Sequence, residues 1–191
     1  MTGSGQRDIP CSVERLEAIL TSSRFGIVGP YNEITSGLFI GRGSVATDFD
    51  TLKKLGITHV LNASVGRTVF HVNTDSTIYK PHNITFMGIR ATDAVTYDLT
   101  PHFLKAADFI EEGLQDDNKI LVHCVGGLSR SATLVIVYYM LKKHMRVEEA
   151  LRLVRNRRSI SPNTGFLLQL CRFDLTLREK GHYRTKSHAL I

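Results

Sequence analysis

The chain has 191 residues, of which 42% are hydrophobic and 22% are charged. This length suits a single domain, because one hydrophobic core serves roughly 100 to 200 residues. The hydrophobic share excludes a chain that is disordered throughout. The longest unbroken apolar run, residues 134–141, is much shorter than the ~20 residues that a membrane-spanning helix requires. We therefore predict a globular protein that does not associate with a membrane.

The charge balance makes the chain basic, with 24 Lys and Arg against 18 Asp and Glu and a formal net charge of +6. Arginines cluster within residues 152–158, and further basic residues follow toward the C-terminus. No aromatic residues interleave with them as they do on a base-stacking surface. The pattern therefore does not favour nucleic-acid binding.

The cysteines and the N-terminal segment bear on the cellular compartment. Cys11, Cys124 and Cys171 are odd in number and widely spaced, which suits neither a disulfide framework nor a zinc site. We therefore predict three free thiols in a reducing compartment. Charged residues leave no apolar N-terminal stretch long enough for a signal peptide. Together these features predict a cytoplasmic protein, with the nucleus as a second location open to it.

The first half of the chain alternates short apolar segments with polar turns. Residues 1–10 are polar and Gly-rich and are predicted to form a flexible leader. Apolar residues recur at helical spacing after Ser12, which predicts a helix over 12–22 with that serine as its N-cap. Strands are predicted at 38–40, 59–62 and 84–89, with a helix over 46–55 between the first two.

The second half is mainly helical around one apolar strand. Thr100-Pro101 combines an N-cap residue with proline at the first helical position, which predicts a helix to about residue 114. Residues 119–123 contain a continuous apolar segment, typical of a buried parallel strand. Further helices are predicted at 129–143, 147–155 and 161–177. A basic, flexible tail is predicted over 181–191, which leaves 11–180 as a single α/β domain.

The segment from His123 to Ser131 ends a strand in a cysteine, passes through a glycine loop and begins a helix. Glycines let successive backbone N–H groups point inward, and the helix N-terminus adds its positive dipole, so such a loop suits an anion. Arg130 can bind two phosphate oxygens with its planar guanidinium. A cysteine at a helix N-terminus ionises readily, which makes Cys124 a candidate nucleophile toward a phosphate ester. If Cys124 were an ordinary core cysteine, the paired glycines and Arg130 would be left unexplained.

Cleavage of a phosphate ester also needs a general acid for the leaving oxygen. The candidates are Asp75, Asp93 and Asp98. Asp93 follows the predicted strand 84–89, so it lies at the carboxyl edge of a parallel sheet, where the next strand delivers Cys124. We therefore favour Asp93 and predict that Asp98 is a surface residue.

The pattern His-Cys-(five residues)-Arg-Ser, read from His123 to Ser131, is the signature of cysteine-dependent protein tyrosine phosphatases. The chain resembles the small atypical dual-specificity phosphatases of that superfamily, most closely the VHR-like subgroup. The resemblance covers about residues 30–178 and includes Leu38–Gly41, Val60–Ala63, Gly66-Arg67, His71–Thr74, Gly88–Asp93 and Ser161–Phe166. It implies one protein-tyrosine-phosphatase-like α/β domain, with a central, mostly parallel sheet of about five strands and helices on both faces.

The resemblance also implies a catalytic role for individual residues. Cys124 would attack phosphorus, and Asp93 would protonate the leaving oxygen. Ser131 would stabilise the departing thiolate when water hydrolyses the cysteinyl-phosphate; a helix-capping serine is the alternative for this position. Arg130 would bind the phosphate together with the loop residues Val125, Gly126, Gly127, Leu128 and Ser129.

The remaining implied roles are supporting ones. His123 would order the loop and help to keep the thiolate charged, and Asn62 and Asn163 would support the site. Arg158 matches a subgroup position expected to bind a second anionic group, with Arg155 and Arg157 beside it. A solvated basic turn at a helix end is the alternative for these arginines.

The implied activity is hydrolysis of phosphotyrosine and of phosphoserine or phosphothreonine in proteins, without a metal or another cofactor. Phosphorylated proteins are the expected partners, with mitogen-activated protein kinases among the candidates; the sequence carries no signal for the oligomeric state. Two alternatives stay open. Burst-phase phosphate release would exclude a phosphoprotein-binding scaffold without turnover, and a substrate panel would separate a phosphatase of RNA ends or phosphoinositides.

Overall fold

The computed structural model describes residues 11–22 and 29–183. The predicted leader, 1–10, and residues 184–191 of the predicted tail lie outside the described residues. Seven α-helices and five strands follow along the described part of the chain. Their order is α1 (Val13–Ser22), β1 (Tyr31–Thr35), β2 (Leu38–Gly41), α2 (Phe49–Leu55), β3 (His59–Asn62), α3 (Ser76–Tyr79), β4 (Thr85–Gly88), α4 (Phe103–Glu112), β5 (Ile120–His123), α5 (Arg130–Lys142), α6 (Val147–Arg157) and α7 (Thr164–Glu179).

One five-stranded sheet has the order β1-β2-β5-β3-β4. Strands β2, β5, β3 and β4 are parallel, and β1 adds an antiparallel edge. In this register His123 lies between Gly41 and Asn62, at the carboxyl ends of three neighbouring strands. Ligands of open α/β sheets bind at this edge, and Cys124 follows directly. The mostly parallel, five-stranded α/β fold expected from the resemblance is confirmed.

Helices cover both faces of the sheet, because each strand presents alternate apolar side chains to opposite sides. On β5, Ile120 and Val122 pack into the larger core with residues of α1, α4, α5, α6 and α7. Leu121 packs into a smaller core with Leu52 of α2 and Tyr79 of α3. Helix α5 is the central element, with all residues from Arg130 to Met140 buried. Within the described residues, no helix is long and apolar enough to cross a membrane.

The elements that the sequence pattern missed or misplaced have local causes. The predictions omitted β1 and α3, because β1 buries only Ile34 and α3 is a single turn of four residues. The helix predicted over 46–55 divides at Asp48, whose side chain accepts a hydrogen bond from the Thr51 amide and starts α2. The last helix begins later than predicted, because Asn163 is its N-cap and accepts from the Phe166 amide at 3.0 Å.

The prediction of three free thiols is wrong for two of the cysteines. Cys11 and Cys171 form a disulfide that joins the segment before α1 to α7, with their Cα atoms 5.4 Å apart. These residues are 160 positions apart, so only the packing of the first helix against the last brings them together. Cys124 is the free cysteine within the described residues.

The structure describes the first three residues of the predicted tail. Residues 181–183 form a turn that packs against the rest of the domain. Nε2 of His182 lies 3.0 Å from the Met140 carbonyl oxygen. The backbone carbonyl oxygen of His182 lies 2.9 Å from Nδ1 of His144.

Candidate active site

A glycine loop connects β5 to α5 and forms the floor of a cavity of about 470 Å³. Gly127 has a φ of +67°, and a Cβ atom there would lie 2.7 Å from the carbonyl carbon of Gly41. Only glycine combines this conformation with so close a contact to β2. The cavity is lined by Phe70, His71, Thr92, Asp93, Cys124, Val125, Gly126, Leu128, Ser129 and Arg130.

The candidate nucleophile lies at the base of this cavity. Cys124 is 2% exposed, and its Sγ is 3.3 Å from Oγ of Ser131 in the first turn of α5. Both atoms lie at the N-terminal end of a 13-residue helix, where the dipole favours negative charge. The structure therefore brings Cys124 and Ser131 together as the resemblance implied.

Arg130 is anchored at the back of the cavity. Its side chain is almost fully buried, and its Nη1 donates to the carbonyl oxygens of Phe70 at 3.0 Å and Ala91 at 2.9 Å. Its Nε has no hydrogen-bond partner among the described residues and lies 3.6 Å from Oδ2 of Asp93. A buried donor without a partner is rare, and this one is available to a phosphate oxygen.

Asp93 lies at the mouth of the cavity. Its side chain is 32% exposed, and its Oδ1 accepts hydrogen bonds from Ser129 Oγ and Asn163 Nδ2, both at 2.8 Å. These contacts link the carboxyl group to the glycine loop and to the start of α7. Asp93, Ser129 and Asn163 thus meet at one point, although 70 residues separate the first from the last.

The other two aspartates lie just before short helical turns and accept hydrogen bonds from backbone amides there. Asp75 and Asp98 are exposed, and their Oδ1 atoms accept from the backbone amides of Thr77 at 2.8 Å and Thr100 at 3.0 Å. Hydrogen bonds from these threonines, the hydroxyl first, lower the pKa of each carboxyl group. Neither residue lines the cavity. Asp98 is a surface residue, as predicted.

His123 and Asn62 lie beneath the site. His123 is completely buried, and its Nδ1 is 3.4 Å from the Cys124 carbonyl oxygen. Burial lowers the pKa of His123 to about 4, so the imidazole is neutral at pH 7 and adds no positive charge for the thiolate. Any help that His123 gives to the thiolate therefore comes through hydrogen bonding to the loop rather than through a positive charge. Asn62 donates to the Val72 carbonyl at 2.9 Å and to Thr74 Oγ1 at 2.8 Å, and so holds the loop that carries Phe70.

The structure contradicts the expectation that Arg158 faces a second anion. This residue is completely buried beneath the glycine loop. Its guanidinium donates to the carbonyl oxygens of Gly127 at 2.8 Å, Gly126 at 3.1 Å and Gly29 at 3.0 Å, and to Oδ1 of Asn32 at 2.7 Å. All of these acceptors belong to the protein, so Arg158 supports the loop from within.

The neighbouring arginines do not form a common surface either. Arg155 is also buried and donates to the Ile160 carbonyl oxygen at 3.1 Å, whereas Arg157 is exposed. The alternative of a solvated basic turn therefore fails for Arg155 and Arg158.

Sequence reasoning missed Phe70, which is 70% exposed at the rim while its carbonyl oxygen binds Arg130. Phe70 lies in a loop without periodicity, and the only signal was the pair of segments around it that match the subgroup, Gly66-Arg67 and His71–Thr74. Across the described ranges, no group of three or more His, Cys, Asp or Glu side chains is placed to hold a metal ion.

Comparison with known proteins identifies the same family that the sequence resembles. The family model "Dual specificity phosphatase, catalytic domain" matches residues 38–175. Dual specificity protein phosphatase 26 of Homo sapiens and of Mus musculus are each 44% identical over 149 residues, which cover 78% of this chain and 69% of the relative.

Solved structures share the fold. Human DUSP28 superposes with a TM-score of 0.69 over 81% of this chain and 99% of its own, at 22% identity, and this likeness concerns the fold alone. A mouse putative dual specificity phosphatase, solved in complex with zinc tungstate, gives a TM-score of 0.68 over 84% of this chain and 96% of its own, at 25% identity. With its cysteine, arginine and aspartate gathered around one anion-binding loop, the chain belongs to the dual specificity phosphatase family and is a protein phosphatase of that class.

Proposed function

We propose that the chain hydrolyses phosphotyrosine and phosphoserine or phosphothreonine in proteins through a cysteinyl-phosphate on Cys124. The observation that carries this proposal is the convergence of three groups on one cavity. Cys124 lies at its base, Asp93 at its mouth, and at its back the Nε of Arg130, which has no hydrogen-bond partner among the described residues and lies 3.6 Å from Asp93 Oδ2. A nucleophile, a phosphate-binding cation and a proton donor are the parts that this reaction needs.

In the first step, the Cys124 thiolate attacks phosphorus and an S–P bond forms as the ester P–O bond breaks. The leaving oxygen takes a proton from Asp93 at the mouth of the cavity. Arg130 Nε and the amides of the glycine loop stabilise the charge on the remaining phosphate oxygens. Among the described residues, none of the amides from Val125 to Ser129 donates to another protein group, so they are available for this task.

In the second step, water attacks the phosphorus of the cysteinyl-phosphate. The Asp93 carboxylate accepts a proton from that water, and the S–P bond breaks to release inorganic phosphate. The sulfur leaves as a thiolate beside Ser131, whose hydroxyl can donate a hydrogen bond to it across 3.3 Å. Each group is then back in its starting state.

The roles of Cys124 and Asp93 are tested with leaving groups of different basicity. Cys124→Ser should abolish turnover, because it removes the nucleophile. Asp93→Asn should slow phenyl phosphate hydrolysis by roughly 10²-fold, the usual span of general-acid catalysis, and barely affect an activated aryl phosphate that needs no proton. Equal losses on both substrates would remove Asp93 from the mechanism. Loss of activity on treatment with EDTA would contradict a mechanism without a metal.

We extend the proposal to mitogen-activated protein kinases as substrates and to a cytoplasmic and nuclear location. The family resemblance supports the substrates, and the need for a free Cys124 thiol supports a reducing compartment. Trapping with Cys124→Ser keeps the phosphate-binding loop, and mass spectrometry of the captured phosphoproteins tests the first point. Fluorescence microscopy of the tagged full chain tests the second.

A further inference from the structure

The segment that carries the candidate acid, residues 92–99 and here called the acid loop, contacts helix α7 at several points, one of which is the side chain of Gln169. Nε2 of Gln169 donates to the Tyr97 carbonyl oxygen at 2.8 Å, and its Oε1 accepts from the Leu99 amide at 2.9 Å. A single amide side chain therefore satisfies a backbone acceptor and a backbone donor of the acid loop. It replaces backbone pairing for a segment that belongs to no helix or strand.

A glycine on the same helix lets the acid loop approach. A Cβ atom at Gly165 would lie 2.6 Å from the Val95 carbonyl carbon and 2.7 Å from its Cα atom, closer than such atoms can approach. The obstacle is backbone, which cannot rotate away as a flexible side chain could. The backbone of Gly165 is not in the left-handed region: among the described glycines, only Gly37, Gly56, Gly127 and Gly181 have a positive φ. Space alone therefore requires glycine here.

Gly165 and Gln169 are four residues apart and so lie on one face of α7. Between their contacts and the glycine loop, the acid loop is largely open to solvent: Val95 is 57% exposed, and Thr96 and Asp98 are exposed as well. Leu99 is completely buried in the larger core and Tyr97 packs against that core, which fixes the C-terminal end of the acid loop. The contacts with Gly165 and Gln169 then place its exposed middle against α7.

We propose that Gly165 and Gln169 are positioning residues for the general acid. They hold the acid loop against α7 in the position from which the Asp93 carboxyl group reaches the leaving oxygen. Asn163 and Ser129 then orient the carboxyl group itself, through their hydrogen bonds to Oδ1. The inference rests on the proposed role of Asp93, and it assigns to two residues outside the cavity a share in the same proton transfer.

The test compares Gly165→Ala and Gln169→Ala with Asp93→Asn on phenyl phosphate and on an activated aryl phosphate. We expect each positioning variant to lose about tenfold or more in kcat on phenyl phosphate, bounded by the roughly 10²-fold loss of the acid itself, and to change little on the activated substrate. The matched control is Leu175→Ala, because Leu175 lies on α7 but is 48% exposed and outside the cavity. This variant should keep the wild-type ratio of kcat on phenyl phosphate to kcat on the activated substrate.

A double variant separates positioning from general damage. If Gly165 acts through Asp93, then Asp93→Asn combined with Gly165→Ala should be no slower on phenyl phosphate than Asp93→Asn alone. Equal losses on both substrates, or a wild-type ratio in both Gly165→Ala and Gln169→Ala, would overturn the proposal while leaving Asp93 as the acid. If Asp93→Asn itself lost the same factor on both substrates, Asp93 would not be the acid, and the positioning role of Gly165 and Gln169 would fall with it. Should Gly165→Ala not fold, Gln169→Ala decides, because it removes no buried apolar side chain.

Discussion

Ser131 lies within hydrogen-bonding distance of the nucleophile, and its effect should fall on only one of the two chemical steps. In the first step the sulfur gains a bond to phosphorus, so a hydrogen bond to a thiolate does not help. In the second step the thiolate departs, and the Ser131 hydroxyl at 3.3 Å can stabilise it. A hydrogen bond to a charged group contributes about 1.5 to 3 kcal/mol, or roughly ten- to a hundredfold in rate.

We therefore expect Ser131→Ala to accumulate the cysteinyl-phosphate. Stopped-flow measurement with an activated aryl phosphate should show a burst of released phenol, close to one equivalent of enzyme, followed by slow turnover. Mass spectrometry should detect phosphate on Cys124 during that slow phase. A linear progress curve, slowed from the start, would instead make Ser131 a structural cap of α5.

His123 links the pH of the solution to the stability of the fold, because its buried ring resists protonation. Its pKa in the folded protein is about 4, below the ~6.5 of an exposed histidine, because burial penalises the charged ring. Between these values the unfolded chain binds more protons than the folded one. The stability contributed by a neutral His123 is therefore present above pH 6.5 and is lost as the pH falls toward 4.

The expected loss between pH 7 and pH 5 is about 2 kcal/mol from this residue. Urea unfolding at the two pH values measures it, and His123→Asn provides the comparison because asparagine does not titrate. The variant should be less stable at pH 7 but lose less on acidification. The same pH dependence in both proteins would show that His123 does not govern the acid limb of stability.

At the scale of elements, the phosphate-binding loop is held by its neighbours as well as by its own glycines. Arg158 follows α6 directly and donates to the carbonyl oxygens of Gly126 and Gly127, while Gly127 packs against the end of β2. One buried guanidinium thus connects α6, the loop and the chain before β1. Removal would leave several buried carbonyl groups without donors, at about 1 to 3 kcal/mol each.

We expect Arg158→Met to destabilise the protein by about 3 kcal/mol or more and to lower kcat on a small aryl phosphate. A residue that only bound a second phosphate would spare that substrate and raise KM for doubly phosphorylated peptides. Urea unfolding and kinetics with both substrates distinguish the two cases. The control is Arg157→Ala, because Arg157 is exposed and adjacent in sequence; it should leave the small substrate unaffected.

The elements that the sequence predicted are those whose signal is local. Strand β5 and helix α5 are both apolar, and the glycine pair divides them, so their boundaries at His123 and Arg130 fall within a residue of the prediction. Strand β1 carries one buried residue and gains its pairing from β2, which a periodic pattern cannot reveal. The burial of Arg158 was hidden for the same reason, since its acceptors at Gly29 and Asn32 are more than a hundred residues away.

At the scale of the whole molecule, helix α7 connects the catalytic face to the chain's beginning. Its N-terminal turn contacts the acid loop through Asn163 and Gly165, and two turns later Cys171 joins Cys11. Motif spacing identified the nucleophile and the arginine, because both lie on one continuous loop. It could not identify Gln169, whose partners Tyr97 and Leu99 are about seventy residues away and show no pattern of their own.

The disulfide between Cys11 and Cys171 should make the stability of the whole domain depend on redox conditions. A crosslink restricts the unfolded chain, and bonds that close long loops typically contribute about 2 to 4 kcal/mol. In a reducing compartment the bond opens and that contribution is lost. We therefore expect a higher urea midpoint without reductant than with it, measured on Cys124→Ser so that oxidation of the catalytic thiol does not interfere. The further exchange of Cys11 and Cys171 for serine should remove the difference. If the midpoint is the same with and without reductant, and alkylation labels both cysteines in the unreduced protein, the two thiols are not joined in solution.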